Sequence, residues 1–180
     1  MRSARLPRVL FAALAFLLAP SLARAHAGEG TLGGFASGFL HPLNGVDHVL
    51  AMVAVGLWGA QLGPPALWVL PVAFPLVMAL GGVACIAGVP LPSVEWGIAL
   101  SVIVLGAAIA LDRRPPLALA GLLVAVFAIF HGYAHGTELP GQAGPLAYSA
   151  GFVVATGALH LTGIGLGLGV HLPNGLRALR

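Results

Sequence analysis

From about residue 33 onward the chain is a succession of five long apolar runs, parted by short breaks of proline, glycine and charge. The runs cover about 33–61, 66–88, 94–111, 117–135 and 145–170. The breaks are Leu62-Gly63-Pro64-Pro65, Val89-Pro90-Leu91-Pro92, Asp112-Arg113-Arg114-Pro115-Pro116 and the polar stretch 136–144. A helix that crosses a bilayer needs ~20 apolar residues, with about 17–25 usual. The third run sits at the short end of that range, and the first and fifth are long enough to tilt or break. The pattern predicts an all-α integral membrane protein, a bundle of about five transmembrane helices. Ahead of these runs, Arg2, Arg5 and Arg8 precede an apolar core from Val9 to Leu18, and Ala23 and Ala25 form an A-x-A site. That order reads as a secretory signal peptide over 1–25, leaving 26–180 as a single polytopic membrane domain.

Composition agrees. The chain is 59% hydrophobic and 7% charged, with a mean hydropathy of +1.00, whereas soluble domains run near ~25% charged. A single cysteine, Cys85, excludes an intrachain disulfide and any cysteine-cluster metal site. The pI near 10 comes largely from the leader. Loss of residues 1–25 removes Arg2, Arg5, Arg8 and Arg24, which leaves four arginines against five carboxylates and a net charge of −1. No basic patch for nucleic acid survives. A cleaved signal puts the N-terminus outside, so five spans place the 112–116 loop and the C-terminal tail in the cytoplasm. Those segments hold Arg113, Arg114, Arg177 and Arg180, as the positive-inside rule asks.

Against this apolar background the ionisable side chains stand out, because such groups at membrane depth are costly and mark functional sites. The first run carries His41, Asp47 and His48 around Pro42 and Gly45. On an unbroken helix His41 and His48 share a face and Asp47 points elsewhere. Pro42 and Gly45 argue against an unbroken helix, and a local break would turn Asp47 toward the histidines. The fourth run ends in His131-Gly132-Tyr133-Ala134-His135, whose histidines at i and i+4 share a face, with Glu138 just beyond. Glu95 opens the third run beside Trp96, and His160 lies near the middle of the fifth, four residues after Thr156. His26 would become the new N-terminus, read either as a solvated end or, through its amine and imidazole together, as two donors to a cation. With the topology above, most of these groups fall on the outer side. Ser37, Ser101 and Gln61 read as helix–helix hydrogen bonds, Met52 as core packing, and His171 as interfacial.

Neutral imidazole with carboxylate suits nickel, cobalt, zinc or copper(II), and the residue types do not rank nickel, cobalt and zinc among themselves. Two functions from different classes fit this donor set. One is a permease for a divalent ion, in which several weak sites pass the cation inward. The other is an intramembrane zinc-dependent hydrolase, with three protein ligands, an open water position and Ser37 or Asp47 assisting. No Walker A pattern occurs, so the chain does not itself consume ATP.

The motifs His41-Pro42-x-x-Gly45-x-Asp47-His48, followed by Leu50-Ala51-Met52 and Gly56-x-Trp58, resemble the HupE/UreJ family of nickel and cobalt permeases. So do Val94-Glu95-x-Gly97-Ile98-Ala99-x-Ser101, Phe130-His131-Gly132-x-Ala134-His135-Gly136-x-Glu138 and the Thr156/His160/Gly163 segment, in the same order over nearly the whole mature chain. The resemblance implies secondary uptake of nickel or cobalt across the bacterial inner membrane, alongside hydrogenase or urease. It also implies that His41, Asp47, His48, His131 and Glu138 fall on positions linked to transport. The expected metal-site residues are therefore His41, Asp47, His48, His131, His135, Glu138, His160, Glu95 and His26. The expected cargo is Ni2+ or Co2+, with no prosthetic group and no enzymatic activity. The bilayer is the other expected partner, with a homo-oligomer and a cytoplasmic metallochaperone left open.

Overall fold

The computed structural model describes residues 34–138 and 145–175, with side chains described to residue 169. Six helices account for nearly all of it, and no strand occurs among the described residues. They are α1 (Gly34–Asn44), α2 (Val46–Leu62), α3 (Ala66–Ile86), α4 (Val94–Ala110), α5 (Leu117–Thr137) and α6 (Pro145–Gly175). The predicted leader over 1–25 and His26 lie outside the described residues, as does the side chain of His171.

The first predicted run is two helices. α1 and α2 meet at Gly45, whose backbone is extended (φ −99°, ψ 112°), and their axes bend by 84°. The glycine leaves the helical region at the point where Pro42 has already weakened the preceding turn. The other boundaries fall within a few residues of the predicted ones, because prolines and Asp112-Arg113-Arg114 end the apolar runs. Ala66–Ile86, Leu117–Thr137 and Leu146–Gly169 are each long and apolar enough to cross a bilayer; the bent α1–α2 pair would make a fourth span. α4, at 17 residues, falls short of that test.

α3 packs most extensively on α5, and α6 packs on both α1 and α2, while α4 lies against α2 and α5. The core between them holds Met52, Val55, Trp58, Leu70, Phe74, Met78, Leu105, Val124 and Phe127. The outward face of α3 is also apolar: Trp68, Val72, Leu76, Leu80 and Val83 recur at helical spacing and are exposed. In water such a stripe would be a liability, and in a bilayer it is the face that meets lipid. The chain is thus a helical membrane protein.

Two seams bring backbones into direct approach beside the histidines. A Cβ at Gly132 would run into the Met78 carbonyl of α3, and one at Gly56 would run into the His160 carbonyl of α6. Only glycine lets these helices close so far, which is the packing that small residues permit in membranes. At one end of the bundle Trp58 Nε1 donates to the Arg113 carbonyl (3.0 Å), and Gln61 Nε2 donates to Ile109 O (3.2 Å) and Asp112 Oδ1 (2.6 Å). These bonds tie the α4–α5 turn to the end of α2. Gln61 thus has its expected role between helices, whereas Ser37, expected to share it, is buried with no hydrogen-bond partner for its hydroxyl among the described residues.

Candidate metal-binding site

At the opposite end of the bundle, the break at Gly45 and the last turn of α5 come together. On an unbroken helix His41 and His48 would share a face but stand ~10 Å apart along one axis, with Asp47 pointing elsewhere. The 84° bend instead turns α1 away from the line of α2, both helices packing on α6, so that His41 and His48 both reach His135. His41 Nε2 lies 2.8 Å from His135 Nδ1 and 3.1 Å from Glu138 Oε2. One donor atom from each of these three residues falls within 4.8 Å of the others, a spacing suited to a single cation. Glu138 is the residue just after α5 and is 44% exposed at its side chain, so this trio is open to solution.

Further in, the rings of His48 and His135 meet at 4.5 Å between centroids, and those of His48 and His131 at 4.8 Å, edge to face. Asp47 does not join them directly. Its Oδ1 accepts from His48 Nδ1 and from the His48 backbone N–H, both at 2.9 Å. His131 is fully buried, and its Nε2 lies 2.9 Å from Ser101 Oγ on α4. The i, i+4 pair of α5 shares His48 and differs in its other partners: His135 faces His41 and Glu138, while His131, one turn deeper, faces Ser101. Four residues of helix are ~6 Å of rise, enough to separate two coordination positions.

Deeper still, Phe74 of α3 lies between two histidines, with its ring centroid 5.6 Å from His131 and 5.6 Å from His160. His160 is 2% exposed, and the neighbouring Thr156 is fully buried. Glu95 stands apart: it is exposed in the first turn of α4, at the histidine end, with no hydrogen bond or ion pair to the cluster among the described residues.

His48 Nε2, His131 Nδ1, His135 Nε2 and His160 Nε2 are all buried without a hydrogen-bond partner in the protein. An unsatisfied buried polar atom costs roughly 1–3 kcal/mol. Each of these four imidazole nitrogens is a donor of the kind a borderline divalent cation takes. Phe74 is the member of this region that sequence reading missed; Ser101, expected to hydrogen-bond between helices, does so, and its partner is His131. Ser101 occurs in a segment of family resemblance, yet nothing local says that it meets His131. Phe74 looks like any aromatic in an apolar run.

The arrangement has relatives. The family model described as HupE / UreJ protein matches residues 14–179. Protein HupE of Rhizobium leguminosarum bv. viciae is 49% identical over 156 residues, covering 85% of this chain and 80% of that protein. No solved structure matches the chain. A match over nearly the full length, with both histidine motifs folded into one cluster, means that the chain belongs to the HupE/UreJ family.

Proposed function

We propose that this protein is a small secondary permease that takes up nickel, or cobalt, across the bacterial inner membrane. The observation that carries the reading is a graded series of imidazoles. Side-chain exposure falls from 44% at Glu138 to 11% at His41, and His131 is fully buried. A hydrated cation arriving at His41, His135 and Glu138 exchanges water for nitrogen and carboxylate donors. It then has His48, His131 and, past Phe74, His160 as successive partners. Several sites, each with few ligands, bind strongly enough to admit an ion and weakly enough to release it. Asp47 supports this path through His48: a carboxylate that accepts from Nδ1–H leaves Nε2 as the ligand atom, the usual outer partner of a metal-binding histidine.

The sidedness follows from charge. In the folded chain Arg113 and Arg114 lie at the end away from the histidines. The positive-inside rule puts that end in the cytoplasm and the histidine end in the periplasm, and a cleaved 1–25 leader agrees. Glu95, exposed at the same end as the histidines, is read as a vestibule carboxylate, and His26 as a donor at the N-terminus that cleavage after Ala25 would create. The family relationship lends no support to a zinc hydrolase, and we read the chain as a carrier, not an enzyme.

The test is uptake of trace radioactive nickel by cells lacking their own importers. Wild-type protein is compared with His48→Ala and His131→Ala at equal membrane expression, with excess cobalt or zinc as competitor. Accumulation by the wild type alone supports the permease reading. Absence of uptake by a protein that purifies with stoichiometric, tightly held zinc would refute it.

A further inference from the structure

The bond between Ser101 and His131 decides more than the position of the ring. Ser101 Oγ lies 2.6 Å from the Ile98 carbonyl, one turn back on α4, and 2.9 Å from His131 Nε2. A hydroxyl has one proton to give. A carbonyl oxygen can only accept, so that proton is committed to Ile98. Toward His131 the serine oxygen therefore acts as acceptor, and Nε2 must carry the hydrogen. In a neutral imidazole the other nitrogen, Nδ1, then holds the lone pair, and Nδ1 is the atom that is buried without a protein partner. The same logic runs from the other side of the cluster, where Asp47 holds His48 as the Nδ1–H tautomer and leaves Nε2 open. The two rings meet edge to face at 4.8 Å.

We propose that Ser101 is a positioning residue for the metal path: by accepting from Nε2–H it locks His131 in the tautomer that offers Nδ1 to the cation. The inference rests on the permease reading for its cation and on geometry alone for its tautomer. Ser101 is not itself a ligand, because its proton is engaged and its oxygen faces a ring nitrogen that donates. Its location on α4, a helix with no histidine, makes α4 part of the path. Gly97, one turn earlier, leaves room for the Phe130 ring against α4 and keeps the two helices close enough for the bond.

Full-length protein labelled with 15N-histidine, in detergent or bilayers, distinguishes the tautomers through two-bond 1H–15N couplings. His131→Asn identifies the His131 signals. The expected wild-type spectrum has His131 protonated at Nε2, with added zinc shifting the Nδ1 resonance. Ser101→Ala mixes the tautomers and raises the apparent KM for nickel about 10–100-fold, the range for loss of an outer partner. Ser101→Thr keeps the hydroxyl and restores both. A wild-type His131 protonated at Nδ1 overturns the proposal, whatever the variants do. So does a Ser101→Ala protein with wild-type KM, or one that loses uptake with its tautomer unchanged, which would be a packing effect. Wild-type protein that neither binds zinc nor takes up nickel refutes the permease reading and, with it, a ligand role for Nδ1.

Discussion

His48 and His131 illustrate how single side chains acquire a defined chemistry. Each imidazole is anchored through one nitrogen, by Asp47 or by Ser101, and keeps the other buried and unpartnered. Anchoring also restricts the ring, so less order has to be imposed when an ion arrives. Asp47→Ala removes the acceptor at His48 Nδ1 without touching the imidazole. Its apparent KM for nickel should rise about 10–100-fold with little loss of maximal uptake, measured as initial rates over a range of nickel concentrations. Only the neutral imidazole ligates, and metal binding releases protons. Uptake should therefore fall, not rise, as the medium is acidified, measured as initial rates at fixed nickel. Rates that rise on acidification would count against imidazole ligation.

At the level of elements, the break and the glycine seams matter more than any helix taken alone. The bend at Gly45 allows one stretch of sequence to supply two sides of a site. The seam at Gly132 draws α5 onto α3, next to His131. Gly132→Ala places a methyl group against the Met78 carbonyl. Overpacking of this kind costs about 1–3 kcal/mol. The variant should melt several degrees below wild type in detergent and take up less nickel. Gly106→Ala is the matching control, since a Cβ there meets nothing within 4 Å. It should melt at or slightly above the wild-type temperature, because alanine favours a helix over glycine. Equal loss from both variants would refute the packing argument, because the methyl at the seam would then cost no more than one in open space.

Taken whole, the molecule is polarised. Histidines and Glu138 gather at one end, Arg113 and Arg114 at the other, and apolar side chains such as those of α3 face outward between them. This polarity predicts which end each compartment sees. In a Cys85→Ala background, Glu138→Cys should react with a membrane-impermeant thiol reagent in cells with a permeabilised outer membrane. Arg114→Cys should react only after the inner membrane is opened. The reverse pattern would invert the orientation and place the histidine cluster on the cytoplasmic side.

The chain's hydropathy pattern determined the helical membrane class and most helix boundaries. An apolar segment in a bilayer has to satisfy its own backbone, and proline, glycine and charge mark where it stops. Its residue types also revealed which side chains matter, because a histidine or carboxylate in an apolar run is costly and needs a reason. What only the tertiary structure decided was how they are grouped. His131 and His135 share a helix face in sequence, and packing sets both against His48 yet gives each its own polar partner, Ser101 for His131 and His41 for His135. Ser101 and Phe74 enter the site through contacts 30 and 57 residues away in the chain, at His131. Local spacing carries no information about such contacts. They depend on which helices pair and how closely their backbones approach, and here glycine at the seams sets both.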